Sequence, residues 1–79
     1  AIRIKPDYAL AYHNRGNAYN VKKEYDKAIA DYTEAIRIDP DDAKAYYYRG
    51  KAHQENGDKA KAEADFAKAK ELGYEEPEP

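Results

Sequence analysis

Apolar and small residues recur along this chain at the three- and four-residue steps of an amphipathic helix. Ala9, Tyr12, Gly16 and Tyr19 make one packed face, which predicts a helix over about Tyr8 to Val21. Tyr25, Ala28, Ile29, Tyr32, Ala35 and Ile36 make a wider stripe and predict a second helix over about Tyr25 to Ile38. The pattern then returns, predicting a third helix over about Asp42 to Glu55 and a fourth over about Lys59 to Leu72. Pro6 and Pro40 are placed to stop helices, because proline lacks the backbone N–H and disfavours helix in the residue before it. Asp7 and Asp41 follow them, in position to cap the next helix. Lys22-Lys23-Glu24 is the first turn, and Asn56-Gly57-Asp58 is a clearer one with Asp58 as N-cap. Lys23 stands where Gly57 stands, which predicts a positive φ at Lys23. Gly16 weakens a helix interior by about 1 kcal/mol relative to alanine. Its place in the pattern therefore predicts a partner helix too close to tolerate a Cβ. Gly73 is placed to close the last helix.

The elements repeat as a block. Tyr12-His13-Asn14-Arg15-Gly16-Asn17-Ala18-Tyr19 returns 34 residues later as Tyr46-Tyr47-Tyr48-Arg49-Gly50-Lys51-Ala52-His53. At the same offset Ala28 pairs with Ala62, Asp31 with Asp65, Tyr32 with Phe66 and Ala35 with Ala69. Ala35-Ile36-Arg37-Ile38-Asp39-Pro40 likewise matches Ala1-Ile2-Arg3-Ile4-Lys5-Pro6. A fixed period of this length is the signature of a stacked-repeat architecture. On Tyr12, Gly16, Tyr19, Ala28, Tyr32, Ala35 and Pro40, and on Tyr46, Gly50, Ala62, Phe66 and Ala69, the chain resembles the tetratricopeptide repeats. It departs from their pattern at His53, where an aromatic is usual, and at Tyr74, where a proline is. The resemblance implies an all-α fold of antiparallel helix-turn-helix units stacked as a short right-handed α-solenoid. Residues 1–6 are then the end of a preceding repeat's second helix, 7–40 the first repeat, 41–74 the second and 75–79 a tail.

Comparing the second and fourth helices suggests where the stack ends. Tyr25 becomes Lys59, Ile29 becomes Glu63 and Ile36 becomes Lys70, so the side that would receive another repeat turns polar. Terminal repeats need such a solvated face. The second repeat therefore reads as a C-terminal cap, and Glu75-Glu76-Pro77-Glu78-Pro79 as an acidic, flexible tail. At the other end, Ala1 to Ile4 read as the last turn of a helix, as though the chain were cut from a longer array.

Composition narrows the function further. A chain of 79 residues buries only about 60% of its unfolded surface, and arrays of this kind usually need ~3 units for a continuous core. The formal charge of −2 gives no electrostatic reason to expect nucleic acid or an anionic membrane surface. No apolar run reaches the ~18 residues of a spanning helix, and no targeting signal is visible, so a cytoplasmic location is the default expectation. Serine and cysteine are absent and Thr33 is the single threonine, which removes the common nucleophiles. His13 and His53 fall at different points of their repeats and do not converge as metal ligands would. They read instead as one exposed and one partly buried histidine. No glycine-rich phosphate loop exists. The reading is a non-enzyme without cofactor or metal.

A binding face remains. Leu10, His13, Asn14, Asn17, Asn20 and Val21 share one side of the first helix. Lys44, Tyr47, Tyr48, Lys51, Gln54 and Glu55 share the equivalent side of the third. The resemblance implies that these sides line a concave groove for a peptide or partner protein. Asparagine offers both donor and acceptor to a peptide backbone, and tyrosine offers rigid apolar area with a polar tip. Asn14, Asn17 and Lys44 match positions of the dicarboxylate clamp of chaperone-binding members, which grips an acidic chain end. His13 and Tyr48 depart from that clamp. The competing readings are a polar surface that binds nothing specific, and a structural module that assembles as a homo-oligomer. Assembly would run by end-to-end stacking, or by one copy's acidic tail entering another's lysine-bearing groove. RNA binding by helical repeats is a further alternative, opposed by the net charge and the repeat pattern.

Overall fold

The computed structural model describes residues 6–74. Among these residues four helices follow one another: α1 (Pro6–Val21), α2 (Tyr25–Ile38), α3 (Ala43–Glu55) and α4 (Lys59–Glu71). The helices pack as adjacent pairs, α1 on α2 and α3 on α4, with α2 bridging to α3 and a slighter contact between α1 and α3. This is an all-α helical repeat stack, 36 × 25 × 22 Å along its principal axes.

The three tight ends share one mechanism. Lys23, Gly57 and Gly73 have φ of 66°, 89° and 100°. In each case the following N–H reaches back to a carbonyl of the last turn: Glu24 to Tyr19, Asp58 to His53 and Tyr74 to Ala69, at 2.9, 2.8 and 3.0 Å. Such closures need a residue in the left-handed region, where glycine meets no Cβ penalty and lysine is strained by about 1 kcal/mol. The end of α2 is built differently. Asp39 donates its N–H to the Ala35 carbonyl at 2.9 Å, and Pro40 follows.

Capping departs from the sequence expectation at two places. Asp42, not Asp41, caps α3: its carboxylate accepts from the Ala45 N–H at 3.2 Å, while the Asp41 N–H donates to Asp39 at 3.3 Å. Two aspartates in succession leave the register to the turn that precedes them. α1 begins at Pro6, which puts Asp7 inside the first turn rather than ahead of it. Proline suits that first position because its missing N–H would have had no helical acceptor. Asp58 caps α4 as the sequence predicts, accepting from Lys61 at 3.2 Å. Ala1 to Ile4 and the tail 75–79 lie outside the described residues.

The core is small residues threaded by rings. Ala28, Tyr32 and Ala52 are fully buried at its centre, with Tyr19, Tyr25, Ile29 and Tyr48 packed around them. Gly16 allows the closest approach. A Cβ there would lie 2.8 Å from Tyr32 Cε1, and one at Gly50 would lie 2.8 Å from Phe66 Cε1 and 3.1 Å from the Ala62 carbonyl oxygen. The helix-weakening glycines are thus where the second helix of each pair lays its aromatic ring across the first. On α4, Lys59, Glu63 and Lys70 are exposed, whereas their counterparts Tyr25, Ile29 and Ile36 are half-buried.

Candidate functional site

Each hairpin is fastened by one arginine and one aspartate. Arg15 donates from Nε and Nη2 to Asp31 at 2.8 and 2.9 Å, and Arg49 donates from the same two nitrogens to Asp65 at 2.8 and 2.7 Å. Forked pairing of this geometry is among the stronger charge-assisted contacts. Those hydrogen bonds hold both guanidinium groups above their ordinary range. Asp31 and Asp65 are buried at 5% exposure each, but only the second pair is enclosed: the Arg49 side chain is 20% exposed and that of Arg15 60%. Arg49 also crosses the repeat boundary, donating to the Thr33 hydroxyl at 3.2 Å, as does Asn56 to Asp26 at 3.2 Å. The sequence carries a signal for these pairs: Arg15 and Arg49 repeat in register with Asp31 and Asp65.

The residues singled out on α1 and α3 divide into a floor and a fringe. His13 is buried at 8% exposure, so it is not the exposed histidine that the pattern suggested. It meets Tyr32 and Tyr48 edge-on, with ring centroids 5.7 and 5.4 Å away. A position on the polar side of an isolated hairpin becomes interior once α3 is laid against it. Tyr48 stacks on Tyr32 at 6.3 Å and meets Tyr47 at 5.3 Å. Tyr47, 8% exposed, continues to Phe66 at 5.5 Å and Tyr74 at 4.8 Å. An aromatic row thus runs from α1 across α3 to the end of α4.

Asn17 is fixed to this floor through its Oδ1, which accepts from the Tyr32 hydroxyl. Burial pushes that hydroxyl well above the ordinary tyrosine range, which keeps it protonated and donating. Asn20 is half-buried, and its Oδ1 has no donor within hydrogen-bonding distance among the described residues. Leu10 and Val21 stand out at 58% and 82% exposure. Asn14, Lys44, Lys51, Gln54 and Glu55 are also exposed. The Lys51 ammonium lies 5.6 Å from the Tyr47 ring centroid, close enough for a cation–π attraction. Among the described residues no group of three or more His, Cys, Asp or Glu side chains could hold a metal ion. No helix among them is long and apolar enough to cross a membrane.

The buried imidazole has a measurable consequence. Burial lowers the His13 pKa below 6.5; Asp42 partly opposes this and Lys44 adds to it. Well above pH 6.5 both the folded and unfolded states hold it neutral, and it adds no pH dependence. As pH falls below 6.5 the unfolded chain takes a proton that the folded chain refuses, so stability declines until the folded-state pKa is passed. Thermal melts of the native chain and a His13→Phe variant between about pH 7.5 and 5 isolate the effect. The native midpoint is expected to fall more steeply than that of the variant. Parallel curves would assign the slope to other groups.

A TPR-repeat family model matches residues 16–57, and a tetratricopeptide-repeat model matches residues 43–72. The chain belongs to the tetratricopeptide repeat family. Repeats of this family generally mediate protein–protein interaction and are not themselves catalytic. No curated protein matches the sequence.

Proposed function

We propose that this chain is a protein-interaction module that holds a peptide or partner segment along the shared side of α1 and α3. The first repeat is taken as 7–40 and the second as 41–74. What supports the reading above all is the anchoring of Asn17. Its carbonyl oxygen accepts from the Tyr32 hydroxyl, which fixes the side chain and leaves the amide NH2 as its donor. Around it a firm aromatic floor carries an exposed fringe of Leu10, Asn14, Lys44 and Lys51. A preorganised donor beside apolar area suits an extended backbone, and the two ammonium groups favour an acidic chain end.

The test uses residues that the fold does not need. Lys44→Ala and Lys51→Ala are exposed positions, and the double variant is expected to keep the native melt. Its affinity for the natural partner, recovered by pull-down with the native chain as bait and measured by calorimetry, is expected to drop about 10-fold. Unchanged affinity would remove this face from consideration.

A second reading, end-to-end self-assembly, has one observation in its favour. Ala11 and Ala18 of α1 are exposed, whereas their counterparts Ala45 and Ala52 are wholly covered by neighbouring helices. A second copy's α4 would have to cover them with Lys59 and Glu63 in place of Tyr25 and Ile29, a weak apolar match. The reading in which a tail enters a neighbouring groove concerns residues outside those described.

A further inference from the structure

The turn that joins α3 to α4 carries a chemistry that the turn joining α1 to α2 lacks. Asn56 is followed by Gly57, whereas their 34-residue counterparts are Lys22 and Lys23. The side-chain carbonyl of an asparagine is open to attack by the backbone nitrogen of the next residue, which closes a cyclic imide. Glycine favours the reaction because no Cβ shields that nitrogen or limits its rotation. Asn56 and Gly57 are both exposed, and a Cβ built at Gly57 would meet nothing within 4 Å. Asn14, Asn17 and Asn20 instead lie within α1 and precede Arg15, Ala18 and Val21, whose nitrogens belong to the helix.

The fold sets the barrier. Asn56 has a ψ of 2°, which turns the Gly57 nitrogen away from the Asn56 side chain. The Gly57 N–H also donates to the Gln54 carbonyl at 3.1 Å. Ring closure therefore requires the turn to open. That breaks this bond and the 2.8 Å bond from the Asp58 N–H to the His53 carbonyl, a local event that leaves the bodies of α3 and α4 in place.

The consequence falls between the repeats. Asn56 donates from Nδ2 to Asp26 Oδ1 at 3.2 Å, joining the second repeat to the first. A carboxylate at position 56 has no hydrogen to give and faces Asp26 with like charge. It also stands at the C-terminal end of α3, where the helix dipole disfavours an anion.

We propose that Asn56 is a deamidation site whose product loosens the contact between the two repeats. The Gly57 nitrogen loses its proton and bonds to Asn56 Cγ; the Cγ–Nδ2 bond breaks, and that nitrogen leaves as ammonia. Water then opens the imide at one carbonyl or the other, giving aspartate or isoaspartate at position 56. In the isoaspartate product the main chain runs through the former side chain, which lengthens the turn that Asp58 closes onto His53. The reaction needs nothing from the α1–α3 face.

The whole chain is incubated for weeks in mildly alkaline buffer, and the tryptic peptide carrying position 56 is followed by mass spectrometry. Deamidation is expected at Asn56 at least about 10-fold faster than at Asn14, Asn17 or Asn20. Gly57→Lys copies Lys23, which holds the same positive φ in the first turn, and is expected to slow the reaction about 10-fold. The effect on the junction is read from urea titrations at neutral pH and low salt. Asn56→Asp, which mimics the aspartate product, is expected to raise the unfolding constant about 5-fold, against about 2-fold in an Asp26→Asn chain. A rate at Asn56 no greater than in α1, or one unchanged by Gly57→Lys, overturns the proposal. So does an equal effect of Asn56→Asp in both backgrounds.

Discussion

Tyr32→Ala is expected to leave the chain without a cooperative melt at physiological temperature. Tyr32 is the largest fully buried side chain, at 0% exposure. It lies with Ala28 and Ala52 at the centre of the interior that joins the two repeats. Its ring crosses Gly16, meets His13 edge-on and stacks on Tyr48, and its hydroxyl donates to Asn17. Truncating a buried aromatic to alanine removes about 3–5 kcal/mol. A domain of this length has a total stability of roughly 4–12 kcal/mol. The loss therefore approaches the whole of it. Circular dichroism at 222 nm against temperature reads the outcome, and a native-like sigmoid would contradict the central place given to this ring. Tyr32→Phe is the companion variant. It keeps the packing and loses one hydrogen bond, so it should cost about 1 kcal/mol and remain folded.

Asp65→Ala is the second large effect, about 3 kcal/mol by loss of one partner of a buried pair. Its counterpart Asp31→Ala should cost less, although both carboxylates are equally buried. The difference lies in the arginines. Arg49's side chain is 20% exposed and tied to Thr33 as well, whereas Arg15's is 60% exposed. Released from its aspartate, Arg15 can turn into water; Arg49 remains partly enclosed with its charge uncompensated. Urea titrations of the two variants should therefore separate by about 1 kcal/mol or more. Equal losses would mean that Arg49 also escapes to solvent.

Helix spacing, turn chemistry and the 34-residue period were all legible in the chain itself. α2 has the span that its apolar stripe predicts, α3 and α4 differ from prediction by one residue at one end, and Lys23 has the positive φ that Gly57 foretold. The close approach at Gly16 was equally readable, because a glycine inside an otherwise regular helix needs a neighbour to justify it. These are local matters: each is settled within a turn or two of backbone, where residue type acts directly on φ, ψ and side-chain direction.

What lies between elements was harder to read. Nothing in the immediate neighbourhood of His13 says that it is interior; that depends on where α3 comes to rest, and specifically on the Tyr48 ring. The arginine–aspartate pairs join residues 16 apart on different helices, and only the register in which the hairpins close brings their charges together. Hydrophobic periodicity and breakers by themselves determined how many helices form and where they stop. Tertiary packing alone decided which polar residues are buried and which ring fills which corner, because burial depends on surfaces far apart in sequence that meet only in the assembled stack.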